Sequence, residues 1–238
     1  MKLLKAMAIA FSIYSKIPVP QFEWKEEDME YMMCFFPWIG GVIGMFFFGW
    51  AVLCEKFAVG NVCYALIGAA IPLMISGGFH VDGYMDTMDA FHSYQSREKK
   101  LEILKDSHIG AFAAIMLALY YMIDIAAISE IHTQKAVSAV AAVFFLARCF
   151  SGIAVMTLQP AKKEGLLYTF ASSAQKVRVK AALYFQTALC VVLMLLVSGW
   201  YGAAAIGAAL LSFFYFKKKS YKAVSYTHLR AHETSAHL

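Results

Sequence analysis

Residues 58–92 read AVGNVCYALIGAAIPLMISGGFHVDGYMDTMDAFH. Up to Phe79 this stretch carries no charge, and a run of about 20 apolar residues is what crosses ~30 Å of hydrocarbon as a helix. Gly77-Gly78 gives the run a flexible end. Asp82, Asp86 and Asp89 then follow at i, i+4 and i+7. On a helix they fall on one face, within about 60° of arc. Like charges on one stripe repel, so a chain shaped for stability alone would scatter them. A divalent cation removes the conflict, because hard carboxylate oxygens suit Mg²⁺ or Ca²⁺. At a lipid boundary such a cluster points to chemistry on phosphate groups, the competing reading being a solvated helix face.

The rest of the chain has the same character. Of its 238 residues 61% are hydrophobic and 16% charged, with a mean hydropathy of +0.59, whereas a soluble domain sits nearer roughly 45–50% and 25%. Apolar segments fall at about 36–54, 58–79, 109–128, 136–159, 181–199 and 201–216. The expected fold is therefore an all-α, polytopic membrane bundle of about six transmembrane helices. Residues 1–223 form one membrane-embedded domain in this reading. The first ten residues hold two lysines and a short apolar stretch without a persuasive cleavage site, which predicts an amphipathic interfacial helix rather than a signal peptide.

Lysine and arginine sort by loop. Four precede the first apolar segment, four lie in 80–108, five in 160–180 and four in 217–222, whereas the alternate loops hold only Lys56 and Lys135. Seventeen against two is a strong positive-inside bias. It predicts an inner (cytoplasmic) membrane protein, multi-pass, with the N-terminus and the aspartate segment on the cytoplasmic side. The net charge of +5 therefore reports topology and is no sign of a nucleic-acid partner. Cys34, Cys54, Cys63, Cys149 and Cys190 are dispersed, without metal-ligand spacing, and read as small packing residues.

Further polar residues join the aspartates on the same side. His80, two residues before Asp82, can bond a phosphate or orient a carboxylate, or is simply an interfacial polar residue. Gly83 lets backbone approach a ligand. Lys105-Asp106-Ser107 precedes the third apolar segment. The lysine is a point charge for phosphate, the aspartate a metal or proton ligand, and the serine a helix cap; an ordinary N-cap with interfacial charges is the plainer account. Arg148 sits inside an apolar segment, where an unpaired charge costs several kcal/mol. It either binds an anionic substrate or pairs with an acid such as Asp124. Lys163 lies at the exit of that segment, where anchoring alone explains it.

At these residues the chain resembles the adenosylcobinamide-GDP ribazoletransferase (cobalamin synthase) family. The matching pieces are Ile17-Pro18-Val19-Pro20, the run from Phe36 to Gly44, the run from Gly77 to Ala90, and Lys105-Asp106-Ser107 with Gly110; Arg148 and Lys163-Glu164-Gly165-Leu166 match more weakly. The resemblance spans roughly residues 1–222. It implies a Mg²⁺-dependent transfer of the adenosylcobinamide-phosphate moiety from adenosylcobinamide-GDP to α-ribazole, or its 5′-phosphate, giving adenosylcobalamin, or its phosphate, and GMP. In that frame Asp82, Asp86 and Asp89 hold the metal at the diphosphate. Lys105 and Arg148 neutralise phosphate oxygens, Asp106 or His80 is the base, and Gly83, Ser107 and Lys163 contact substrate.

The chain departs from the family after its last apolar segment. The family's Gly-Gly-x-Thr-Gly-Asp element is absent, and from Val224 the sequence reads like the translation of a transposase adaptor used in DNA library preparation. Residues 224–238 are therefore expected to be a non-native tail replacing the native C-terminus, and His228, His232 and His237 are not read as a metal site. Two other classes compete. A CDP-alcohol-type membrane phosphotransferase would carry Ala-Arg after Asp-Gly, where Tyr84-Met85 stands. An ion-coupled transporter would place its acids mid-membrane rather than at a segment's end.

Overall fold

The computed structural model describes residues 2–20, 23–104, 108–157 and 174–224, and every regular element among them is helical. Among the described residues nine α-helices follow in order: α1 (Lys2–Tyr14), α2 (Met32–Lys56), α3 (Asn61–Ser76), α4 (Phe79–His92), α5 (Arg97–Ile103), α6 (Ala111–Ser129), α7 (Gln134–Thr157), α8 (Lys176–Ser198) and α9 (Trp200–Val224). The all-α polytopic class is as expected, and the candidate crossings are counted among the described residues. Four helices (α2, α6, α7 and α8) are each long and apolar enough to cross a membrane, or five spans if α3 and α4 together make one. At 16 residues, α3 reaches only about 24 Å, short of the ~30 Å core. Lys217 and Lys218 add charge to the later part of α9.

The aspartate segment does not continue the line of α3. Gly77 and Gly78 both adopt positive φ, +68° and +84°, a region open to glycine without a side-chain penalty. Gly77 closes α3 by donating its N–H to Leu73 O at 2.9 Å. Gly78 then starts α4, and the two helices meet at 99°. The outer side of this corner is covered by Lys16, whose aliphatic stem occupies the space a Gly77 side chain would need. Lys16 also donates its backbone N–H to Ile75 O at 2.8 Å.

Behind the corner, α2 and α7 share the most extensive helix contact among the described residues. The Gly40-x-x-x-Gly44 motif faces α7, where a Cβ at Gly40 would strike the Phe144 carbonyl and one at Gly44 the Ala141 carbonyl. The glycines thus let two backbones touch, as membrane helices do where small residues align. Phe47 continues the seam, buried edge-on to Phe144 with ring centroids 5.9 Å apart. Pro37, inside α2, removes the amide that would bond the Met33 carbonyl. One turn away, Gln186 of α8 donates its side-chain amide to Cys34 O at 3.0 Å.

The first helix has the amphipathic character its sequence predicts. Ala6, Ile9, Ala10 and Tyr14 are buried while Leu3 and Leu4 are exposed. Its buried face joins Met32, Met33, Phe36 and Ile39 of α2. Lys5 ties it to the following turn by an ion pair to Asp28 at 3.1 Å. The Lys5 hydrogen bond holds the Asp28 carboxyl below its usual range. A depressed folded value stabilises above the unfolded value and is lost as pH falls through the folded one. Acidification below the ordinary carboxylate pKa, about 4, should therefore lower the melting temperature more in the unaltered chain than in Lys5→Met. Equal losses would show that the pair contributes nothing.

Candidate active site

The site is built on α4, whose three acids run from its first turn into its later half. Asp82 lies in the first turn and is exposed; a carboxylate there is favoured by the positive end of the helix dipole. Asp86, one turn on, is half-buried. Gly83 is buried, and its carbonyl accepts the Thr87 hydroxyl at 2.7 Å. This places Gly83 within the packed side of α4.

Asp89 has a different setting from the other two acids. Its Oδ1 accepts the backbone N–H of Ala113, in the first turn of α6, at 3.2 Å. The same side of α4 carries Tyr84, whose hydroxyl donates to Met116 O at 3.2 Å. It also carries His92, stacked on Phe112 at 5.6 Å. Among the described residues no three His, Cys, Asp or Glu side chains gather closely enough to hold a metal ion. The stripe predicted from the spacing is real as a helical register, but tertiary packing divides it.

His80 is enclosed by aromatic rings. Tyr14 stacks on it at 6.4 Å with planes 9° apart, and Phe36 and Phe79 meet it edge-on at 5.9 and 5.5 Å. Two residues apart on a helix is about 200° of rotation, so His80 and Asp82 leave α4 on nearly opposite sides. Burial raises the Tyr14 hydroxyl above its ordinary pKa, so that ring stays neutral beside His80.

Arg148 belongs to another layer. It is buried on α7, and its Nη1 donates to Phe144 O at 3.3 Å. Its Nε finds no hydrogen-bond acceptor, and no carboxylate pairs with it, Asp124 included, among the described residues. The sequence alternative of an Arg148–Asp124 pair is therefore set aside. A buried charge without a counter-ion is costly and is what an anionic ligand would relieve. Phe79 connects this layer to α4, packing in one core cluster with Met156 of α7 and Leu183 of α8. Lys105, Asp106, Ser107 and Lys163 lie outside the described residues.

Two residues near this site went unread in the sequence. Gln186 keeps a buried Oε1 without a hydrogen-bond partner among the described residues, while its amide holds Cys34. Its signal was available, since one glutamine interrupts the apolar run 181–199. Lys16 brings a cation to the α3–α4 corner; only its proximity to Gly77, 61 residues later in sequence, gives it meaning.

Comparison with known proteins adds a second line. Residues 6–227 match the sequence profile of a family described as cobalamin-5-phosphate synthase. A protein of Lachnoclostridium phytofermentans named adenosylcobinamide-GDP ribazoletransferase is 43% identical over 222 residues, 93% of this chain and 85% of the relative. A protein of the same name from Clostridium botulinum is 28% identical over 92% of this chain and 87% of its own length. One from Clostridium perfringens is 34% identical over 52% of this chain and 49% of its own. No solved structure matches.

Proposed function

The chain belongs to the cobalamin-5-phosphate synthase family of enzymes, and on that premise we propose that it joins adenosylcobinamide-GDP to α-ribazole, or to its 5′-phosphate. In the reaction a ribose hydroxyl attacks the phosphorus next to cobinamide, and the P–O bond to GMP breaks. The hydroxyl proton passes to a protein base and GMP departs, leaving a phosphodiester in adenosylcobalamin or its phosphate. The observation that carries this reading is the acidic face of α4, which starts in the first turn after the chain bends 99° away from α3.

Phosphoryl transfer asks a protein chiefly for positioning and charge neutralisation. Mg²⁺ fits the donors present, being bound by one or two carboxylates plus substrate phosphates rather than by an all-protein cage. Asp82 and Asp86, one turn apart on α4, supply hard oxygens of that kind, and the lack of a three-carboxylate group among the described residues is consistent with it. When bound, the ion neutralises the diphosphate. Arg148, with its unpartnered Nε, serves an anionic group of the substrate from the α7 side, and Lys105 is the second phosphate cation. Asp106, or His80 held by its three rings, is the base.

The lysine and arginine asymmetry supports an inner-membrane protein whose N-terminus and α4 face the cytoplasm, where a nucleotide-activated substrate would arrive. Membranes carrying this chain should release GMP from adenosylcobinamide-GDP only when α-ribazole, or its phosphate, and Mg²⁺ are both present. Movement of substrate across liposomes with no GMP formed would instead favour a transporter.

A further inference from the structure

The third aspartate of the motif raises a question that its spacing alone does not answer. Gly110 precedes α6 as its N-cap and offers no side chain to bond the first-turn amides. Its backbone is ordinary extended chain, φ −83° and ψ 165°, so the glycine is not there for conformational reasons. It is there for space: a Cβ at Gly110 would lie inside the Asp89 carboxylate. Asp89 meanwhile bonds the Ala113 amide, the third residue of α6, at 3.2 Å. That amide is one of the four a helix start leaves unsatisfied, and a carboxylate there also meets the positive end of the dipole.

We infer that Asp89 is a positioning residue, the cap of α6 supplied from α4, and that the metal site rests on Asp82 and Asp86 without it. One carboxylate oxygen is engaged by the α6 amide and the other lies against the Gly110 backbone. Its neighbours on α4 confirm the direction: Tyr84 and His92 both reach α6, to Met116 and Phe112. Leu104, packed against Ala90, fastens the chain to α4 on the other side of the segment that leads to Gly110. The cap thereby fixes where α6 starts relative to the acids of α4. This inference rests on the transferase reading for its activity readout but not for its stability readout.

The test separates charge from shape. Asparagine caps a helix about as well as aspartate, whereas alanine does not, and a neutral amide is a poor Mg²⁺ ligand. Asp89→Asn should turn over at least about tenfold faster than Asp89→Ala, a factor of the size that losing a cap produces. Its Mg²⁺ concentration for half-maximal activity should match the unaltered chain. Gly110→Ala should reproduce the Asp89→Ala defect. Should Asp89→Asn be as inactive as Asp89→Ala, or need markedly more Mg²⁺, the inference fails. If the unaltered chain releases no GMP, the functional reading fails separately. Melting temperatures then decide the cap: Asp89→Ala low with Asp89→Asn restored supports it, and no difference between the two overturns it.

Discussion

Asp82→Asn should slow GMP release from adenosylcobinamide-GDP by about 10²–10³-fold or more, the range seen when one electrostatic element of a transition state is removed. The change is nearly isosteric and Asp82 is exposed, so neither cavity nor collision confuses the result. An asparagine in the first turn also retains much of the local hydrogen bonding of the helix start. Abundance and melting temperature in membranes should therefore match the unaltered chain, while turnover does not. Unchanged turnover at equal abundance would remove Asp82 from the metal site and, with it, the reason for reading α4 as the reactive element.

Gly40→Leu should have its effect on folding rather than on chemistry. The α2–α7 contact at this position is backbone against backbone, with the Phe144 carbonyl where a side chain would go. Flexible side chains can move aside, but a helix carbonyl cannot without shifting α7. Overpacking of a tight core typically costs about 1–3 kcal/mol, and a collision with backbone lies at or above that upper end. The membrane-inserted, monodisperse fraction should fall several-fold in size-exclusion profiles. Gly49→Leu on the same helix is the control, because nothing lies within 4 Å of a Cβ there. Equal behaviour of the two variants would show that the seam is looser than described.

The sequence made the class of fold plain, because apolar runs bounded by lysines have few other solutions. It also located the corner, since Gly77-Gly78 stands between an uncharged run and an acidic one. The angle was not legible, nor was the fact that α3 is too short to finish a crossing by itself. A Gly-x-x-x-Gly spacing such as Gly40 to Gly44 is common by chance; its meaning depends on α7 presenting Ala141 and Phe144 at matching height. The three aspartates illustrate the same boundary. Their shared stripe follows from helix periodicity, but the partner of Asp89 is 24 residues further along, and only packing of α6 on α4 brings it there. Arg148 was singled out by its cost in an apolar helix, and among the described residues no carboxylate pairs with it. Gln186 is marked locally by its place in an apolar run, but its partner Cys34 is not, and Lys16 acts through a neighbour that no local pattern reveals.

One feature of the architecture bears on how the protein should be handled. Only 11% of the apolar stretch of α6 is buried within the bundle, and its principal neighbours are α3 and α4 rather than the glycine-sealed pair. Lipid is thus most of the packing this helix has. A harsh, short-chain detergent would strip that support while leaving α2 and α7 clasped, producing a well-behaved particle on a column that no longer turns over. Extraction in nanodiscs or native-lipid polymers keeps the annular lipids in place, so purity and catalytic competence should be judged separately for each preparation.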